Sequence, residues 1–502
     1  MHCMRPIWIW SIVLVIANGA FAQKPRTIHA PRIWDDEALK EWATPIAALG
    51  VRPGYFTAAE YYSIPADNFK TYPIYRPDRE PPGYWEWLHR QKPQPLLDPE
   101  DLGTRQDWIK AGETVFRSLD EPLVRTNNPE VIQAFRDPSK YDRVWTQADG
   151  SLIAARWVIT KVGVQVSTTA CATCHVRASA DGTVLLGAPL AFPPGGKRDY
   201  LPVSIGRLRA VALTFPGDSR PVSLWRQFTT PWATDERIEK LRDQPDAVTV
   251  LRSDGPNTFS RSHGSPYYAT KIPDLNHLHY SRYLDATGTH RLRNPEDIGR
   301  YAAFVMGADP MEFAAYRILT PEQRHVSFRY ADELLYAIGL YVMSLDPPRN
   351  PDLASGPVSL VERGREIFGR ETCVQCHVPP NYTSGKLTLA QGFIPPANHP
   401  NRADIVTVSV GTDPGLAMKT RKGTGFYKVP SLRGLWYRPV LLHDGSVGSL
   451  EEMFDQARLN ADHEPGGWKG PGVTKRSIPG HHFGLGLNSE EKRALLAFLR
   501  SL

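Results

Sequence analysis

Two five-residue stretches constrain this chain more than any other feature: Cys171-Ala172-Thr173-Cys174-His175 and Cys373-Val374-Gln375-Cys376-His377. On one tight turn, two thiols three positions apart reach the two vinyl groups of one porphyrin and form thioethers. The histidine that follows points its imidazole at the iron. The pattern therefore predicts two covalently attached haem c groups, with the four cysteines as anchors and His175 and His377 as proximal iron ligands.

A Cys-x-x-Cys pair alone also occurs in zinc half-sites and in thioredoxin-like redox sites. The histidine directly after both pairs, and the helical pattern that runs into the second pair, favour haem. Of the five cysteines, Cys3 lies ahead of an apolar N-terminal run and the other four belong to the two stretches. Haem attachment therefore accounts for every cysteine beyond Cys3, and none is left for a structural disulfide.

Residues 1–22 have the pattern of a secretory signal peptide. Arg5 precedes a short apolar run at 7–17, and Ala20-Phe21-Ala22 forms a small-x-small cleavage site before Gln23. The run is too short to span a bilayer comfortably, and no later segment has about 18 apolar residues in a row. We therefore expect a mature protein that is periplasmic or otherwise exported, soluble, and without a membrane span.

Composition sets the number of domains and excludes one class of partner. A chain of 502 residues with 41% hydrophobic residues has enough apolar surface for at least two cores. The net charge is +6, and no Lys/Arg block is interleaved with aromatic residues, so nucleic-acid binding is not expected. Residues 23–103 are rich in Pro, Tyr and Trp, which predicts an irregular arm wrapped on the body.

The rest of the chain reads as two diverged copies, which we name the first module (residues 104–345) and the second module (residues 361–502). Residues 111–117 echo residues 363–370, and residues 271–280 and 428–437 both read Lys-x-Pro-x-Leu-x-x-Leu-x-Tyr. Each module closes with an apolar helix pattern, and the proline-rich residues 346–360 form the linker. The predicted fold is mainly α, with two tandem cytochrome c-type haem domains. A strand at 152–160 predicts a short β insertion before the first haem motif.

The second axial ligand of each iron decides between electron transfer and reaction with a small molecule, because only an open position binds peroxide or oxygen. In the second module the glycine-flanked loop at 479–484 favours His481 over the other candidates, which are His443, Met453, His482 and Met418. In the first module no spacing distinguishes the candidates, which are His263, His277, His279, His290, Met306 and His325. Lys428 and Arg433 are candidate ligands of haem propionates, although ordinary surface charge is an equal alternative.

Residues 426–446, with Lys428-Val429-Pro430-Ser431-Leu432-Arg433 and His443-Asp444-Gly445-Ser446, closely resemble the segment after the second haem in the bacterial di-haem cytochrome c peroxidase superfamily. That superfamily includes methylamine-utilisation di-haem enzymes and rubber oxygenases. The resemblance covers 361–502 most clearly and 104–345 less so. It implies that the haem of His175 reacts with peroxide or oxygen and that the haem of His377 relays electrons.

One departure separates the chain from plain peroxidases. Their methionine ligand of the second haem falls at a position that is Ala457 here, fourteen residues after His443. The Gly-His-x-Phe-Gly element around His481 is closer to the rubber-oxygenase-like branch, in which such a histidine is the second haem's distal ligand. We therefore expect a peroxidase-like or oxygenase-like oxidoreductase that uses hydrogen peroxide or dioxygen and takes electrons from a small redox protein or other donor. The alternative is a pure electron carrier with both irons six-coordinate.

Overall fold

The computed structural model describes residues 28–142, 144–179, 181–192, 201–203, 215–243, 257–260, 263–308, 312–351 and 358–502. The predicted signal peptide (1–22) and part of the linker lie outside these residues. None of the helices described is long and apolar enough to cross a membrane. The α-helices are Asp36–Lys40, Ala58–Tyr62, Tyr84–His89, Arg105–Ser118, Pro129–Arg136, Arg220–Phe228, Glu236–Glu239, Pro295–Val305, Asp332–Ser344, Val358–Arg370, Gly415–Lys419, Leu450–Met453 and Ser489–Arg500.

Each module is closed by one pair of packed helices. In the first module the opening helix Arg105–Ser118 packs on the closing helix Asp332–Ser344, and in the second Val358–Arg370 packs on Ser489–Arg500. The last of these begins as its sequence predicts: Asn488 accepts from the backbone of Glu491, and the Glu491 side chain returns the bond. The predicted helices that open and close each module are therefore confirmed.

The echoed glycines explain why the two opening helices share a pattern. A Cβ added to Gly112 would overlap the carbonyl oxygen of Ala337, and one added to Gly364 would overlap that of Ala494. Glycine at these two positions lets the backbones of each helix pair approach closely. The repeated glycine therefore allows the same close helix crossing in both modules.

The aromatic residues beside these glycines repeat the arrangement. Phe116 packs on Tyr341 with ring centroids 5.4 Å apart, and Phe368 packs on Phe498 at 5.3 Å, both at an interplanar angle of 61°. Edge-on contacts of this kind contribute beyond the apolar area that they bury. The two modules are thus held closed by equivalent contacts.

The strands form seven small sheets in the described parts of the chain. They are Ala66–Asp67, Thr71–Tyr75, Ser151–Thr160, Gly163–Thr168, Val176–Ala178, Val184–Leu186, Thr258–Phe259, Thr270–Lys271, Tyr283–Leu284, His290–Arg291, Glu312–Phe313, Tyr316–Arg317, Arg329–Tyr330, Leu387–Leu389, Ile405–Ser409 and Phe426–Lys428. The predicted strand at 152–160 is confirmed as Ser151–Thr160, paired antiparallel with Gly163–Thr168. A second three-stranded sheet, centred on Leu387–Leu389, lies in the second module, so β structure is not confined to one insertion.

The N-terminal arm is part of the core of the first module. Trp34 and Trp42 are fully buried, and Trp34 stacks on Tyr61 with ring centroids 4.9 Å apart. The segment Thr71–Tyr75 forms the edge strand of the sheet that contains Ser151–Thr160. The arm wraps on the body as predicted, but its strand and its short helices make it less irregular than its composition indicates.

Candidate haem sites

The second Cys-x-x-Cys-His stretch folds as one tight turn. The backbone N–H groups of Cys376 and His377 both donate to the carbonyl of Cys373, at 3.3 and 2.9 Å. The Nδ1–H of His377 donates to the Tyr382 carbonyl at 3.1 Å, which leaves Nε2 as the nitrogen that can bind iron. Burial lowers the pKa of His377 to about 4, so the ring is neutral, as a metal ligand must be.

A cavity of about 270 Å³ opens at this turn. Cys373, Cys376 and His377 line it, and Met453 and His481 line the same space. Most of the remaining wall is apolar, from Val429, Leu432, Leu435, Val440, Leu441, Leu495 and Leu499. Two thiols, a neutral imidazole with a free Nε2 and apolar walls are the groups that a covalently bound porphyrin needs. The residues present therefore fit a haem.

His481 is held in the cavity by strained backbone. Gly480 and His481 both adopt left-handed conformations, with φ of 78° and 48°. A Cβ on Gly480 would overlap the backbone of Thr412, and the N–H of His481 donates to the Val410 carbonyl at 2.6 Å. Burial lowers the pKa of His481 to about 4, and its Nδ1 is buried without a hydrogen-bond partner. A non-glycine residue in this conformation is a feature of functional loops.

Arg458 fixes the loop that carries His481. Its side chain is fully buried and donates to the carbonyls of Met453, Ile478, Gly480 and His481, at 3.1, 2.6, 2.8 and 2.9 Å. Charge-assisted bonds to four carbonyls give this loop a single position. The sequence provides no signal for this role, because the acceptors are backbone atoms up to 23 residues away.

Ala457, at the position where the resemblance expects the peroxidase methionine, is exposed. Of the other candidates in the second module, His443 and Met453 line the cavity with His481. The His443 ring stacks on Tyr427 at 4.1 Å, and its Nε2 lies 3.2 Å from the Tyr427 hydroxyl. His482 is exposed. His482 and Met418 are both absent from the described lining of the cavity.

The first Cys-x-x-Cys-His stretch repeats the turn and the histidine contact. The N–H groups of Cys174 and His175 donate to the Cys171 carbonyl at 3.2 and 3.0 Å. The Nδ1–H of His175 donates to the Pro273 carbonyl at 3.1 Å. Pro273 is the proline of the first Lys-x-Pro element, and the backbone of Pro430, its counterpart, also raises the pKa of His377 by hydrogen bonding. The echoed prolines therefore serve the proximal histidine in both modules.

The candidate distal ligands of the first module are mostly engaged elsewhere. Both ring nitrogens of His290 form hydrogen bonds, Nε2 with the Tyr55 hydroxyl at 2.7 Å and Nδ1 with Thr289 Oγ1 at 2.8 Å. Four other histidines have neighbours of their own: His277 lies by Asp274, His279 by Asp346, His325 by the Gln323 carbonyl and the buried His263 by Phe304. Met306 packs against the hydrophobic core. No described hydrogen bond or ion pair joins any of them to the first motif.

The two Lys-x-Pro elements meet each other across the modules. The Tyr437 hydroxyl donates to Asp274 at 2.7 Å, and Arg438 donates to the same carboxylate at 3.1 Å. Burial alone would raise the pKa of Asp274, but hydrogen bonding from His277 and the charge of Arg438 hold it well below its usual range. Arg177, two residues after His175, donates to the Tyr437 carbonyl at 3.0 Å. This buried cluster joins the two halves and was missed from the sequence.

The two candidate propionate ligands lie apart. Lys428 lines the cavity and donates to the Tyr283 carbonyl at 3.2 Å. Arg433 is not among the described residues of the cavity wall and donates to the Tyr280 hydroxyl at 2.6 Å. Lys271, the counterpart of Lys428 in the first module, lines the cavity instead.

The described residues contain no group of three or more His, Cys, Asp or Glu side chains that could hold a metal ion.

No protein-family model matches the chain. In sequence, the chain is 27% identical over 165 residues to a cytochrome-c peroxidase, IdrP1, of Denitromonas iodatirespirans, a match that spans 28% of this chain and 39% of that protein. This similarity supports the class of oxidoreductase that residues 361–502 resemble.

Two solved structures align with part of the chain. Hydrazine synthase of Kuenenia stuttgartiensis is 13% identical and aligns over 60% of this chain and 93% of its own, with a TM-score of 0.30. A MauG-like protein associated with microbial copper homeostasis is 19% identical and aligns over 58% of this chain and 90% of its own, also with a TM-score of 0.30. Likeness at this score is too low to establish a common overall fold.

Proposed function

We propose that this protein is a di-haem c-type oxidoreductase with peroxidase-like or oxygenase-like activity. One haem is attached at Cys171 and Cys174 and a second at Cys373 and Cys376, in two cytochrome c-type domains that correspond to the first and second modules. The similarity to a cytochrome-c peroxidase supports the class of reaction. The protein acts after export, in the periplasm or an equivalent compartment, because residues 1–22 have a signal-peptide pattern.

The observation that carries the proposal is the cavity at the second motif. It brings two thiols, the neutral His377 and the loop-held His481 into one largely apolar space. A haem supplies one-electron transfer, and where its iron keeps an open position it also supplies reduction of peroxide or dioxygen. Of the four histidines that line the cavity, His377 and His481 are the proposed pair of iron ligands. Two histidine ligands favour electron transfer at this site, in line with the rubber-oxygenase-like branch.

Each residue of the second site has a definite task. The Tyr382 carbonyl holds the Nδ1 proton of His377 and so orients its Nε2 towards the cavity. Arg458 and Gly480 set the backbone of His481. The apolar walls exclude water, which strengthens the electrostatic effect of every charge that remains.

The haem of His175 is the proposed site of reaction with hydrogen peroxide or dioxygen. Its proximal side is built like that of the second site, since Pro273 accepts the Nδ1 proton of His175. Among the candidate distal ligands, His290 has both nitrogens in hydrogen bonds and His277 lies 3.5 Å from Asp274, which would favour an iron with an open position. Electrons from a small redox protein or other donor enter at the second haem and pass to the first.

Carbon monoxide added to the dithionite-reduced protein tests the proposal. We expect one of two haems to shift its Soret band, and we expect the purified protein to consume peroxide with a reduced donor. The paired variants Cys171→Ala with Cys174→Ala and Cys373→Ala with Cys376→Ala assign the signals, because each should lose one covalent haem. If only the variant Cys373→Ala with Cys376→Ala loses carbon monoxide binding, the reactive haem is the one at the second motif, and the proposed roles of the two haems are reversed.

An unchanged spectrum at both haems would make the protein a pure electron carrier with two six-coordinate irons. Two covalent haems per chain are the first quantity to measure, by the pyridine haemochrome absorbance of the purified protein. Fewer than two would contradict the attachment itself.

A further inference from the structure

We propose that Lys271 of the first module and Lys428 of the second together bind the two propionate carboxylates of the haem at the second motif. This inference rests on the proposed haem at Cys373 and Cys376. It replaces Arg433 by Lys271 as the partner of Lys428, and it makes the first module a part of the second haem's binding site.

The second module holds Lys271 in place. The backbone N–H of Lys271 donates to the His443 carbonyl at 3.0 Å, in the His-Asp-Gly-Ser turn. Its Cβ packs against Gly445, where an added Cβ would lie 3.3 Å away. From there the side chain reaches the cavity that contains His377. No hydrogen bond or ion pair joins the Lys271 ammonium to another described residue.

Asp274 and Asp444 attract Lys271 and Asp285 attracts Lys428, but other groups hold these carboxylates. The carboxylate of Asp274 is used by Arg438 and Tyr437, and Asp285 pairs with Lys422 at 2.5 Å. Neither lysine of the repeated element forms an ion pair with a described carboxylate. Arg438 also lines the cavity, but it is paired with Asp274. Among the described lining residues, Lys271 and Lys428 are therefore the two cations that match the two carboxylates of one porphyrin, because buried charges need partners of the opposite sign.

The pKa values of the two lysines agree with this proposal. Burial, assisted by the charge of Arg438, lowers the pKa of Lys271 to about 7. Burial lowers the pKa of Lys428 to about 8. Burial therefore makes both lysines weaker cations than an exposed lysine, and a bound carboxylate would raise both pKa values again.

The position of Lys271 also connects the two haem sites through three residues. Lys271 lines the second site, while Pro273, two residues on, accepts the Nδ1 proton of His175, the proposed proximal ligand of the first haem. A change in the charge of the second haem therefore acts on a segment that touches the first iron's ligand. The repeated element couples the two sites through one short stretch of backbone.

The experiment compares Lys271→Met and Lys271→Arg with Lys475→Met, which removes an exposed lysine of the second module. Pyridine haemochrome absorbance first has to show two covalent haems in the wild type and in each variant. If the wild type lacks them, the proposed function is contradicted, and the lysine assignment is not what has failed. The second haem's reduction potential is then measured by spectroelectrochemistry in anion-poor buffer. Resonance Raman spectra report the propionate bending mode.

In Lys271→Met we expect the equilibrium constant for reduction of the second haem to fall about tenfold, which is about 59 mV for one electron. A cation beside the haem favours its reduced form, so the potential falls when the charge is lost. The propionate mode should shift in this variant, and Lys271→Arg and Lys475→Met should stay close to the wild type. A potential in Lys271→Met equal to that of Lys475→Met would overturn the proposal. A shift that appears only with added chloride or phosphate would also overturn it, because the lysine would then hold a free anion.

Discussion

Arg458→Met removes a charge that has four backbone acceptors and no ion-pair partner in the described structure. Each net hydrogen bond is worth roughly 1 kcal/mol, so loss of the four predicts a decrease of about 4 kcal/mol in the free energy of unfolding. For a domain of this size that corresponds to a fall of about 12 °C in the melting temperature. The methionine keeps most of the apolar stem, so packing changes little.

The measurement has two readouts. Calorimetry or far-ultraviolet circular dichroism of the haem-loaded protein gives the melting temperature, and the visible spectrum gives the spin state of the second haem. We expect a partial change from low to high spin in Arg458→Met, because the loop with His481 loses its anchor. Arg363→Met is the matched control: Arg363 is exposed and pairs only with Glu366, so its loss should change stability by less than about 0.5 kcal/mol. An Arg458→Met variant that melts like this control and keeps its spectrum would refute the positioning role.

Three further predictions concern single residues. His481→Ala should convert one haem from low to high spin, whereas His482→Ala, at an exposed position, should leave the spectrum unchanged. Gly480→Ala should destabilise the second module by roughly 1–3 kcal/mol, measured as a melting shift, because its φ is 78° and its Cβ would overlap Thr412. His290, whose pKa burial lowers to about 3, stays neutral in the folded protein while the unfolded chain takes up a proton near pH 6.5; its contribution to stability is complete above pH 6.5 and is lost towards pH 3. In His290→Gln the melting temperature should therefore fall less steeply between pH 7 and pH 4, and an unchanged slope would contradict this.

Local patterns in the sequence predicted the elements that short-range chemistry determines. The cap at Asn488, the strand at 151–160 and the helices that open and close each module all depend on residues a few positions apart. The echo between Gly112 and Gly364 was visible as well. Its cause was not, because the overlapping atoms belong to helices that follow each glycine more than a hundred residues later.

Contacts with backbone atoms could not be predicted from sequence patterns. Arg458 binds carbonyls, which every residue possesses, so nothing in the residue types around 478–481 identifies its partner. Arg433 and Lys428 have equivalent charge in the sequence, yet only Lys428 lines the cavity. The strand Thr71–Tyr75 was read as irregular because proline and tyrosine dominate it, and its pairing with Ser151–Thr160 depends on a long-range contact.

The repeated Lys-x-Pro element explains why two copies of one module remain in a single chain. In each copy its proline lies by that module's proximal histidine: Pro273 accepts from His175, and Pro430 acts on His377. The residue after Pro273, Asp274, binds Tyr437 and Arg438 of the other copy through its carboxylate. The same segment thus orients His175, the proposed ligand of the first iron, and forms a contact between the halves, so separation of the modules should disturb that histidine. Such a segment is consistent with the proposed function, in which the haem of His377 passes electrons to the haem of His175.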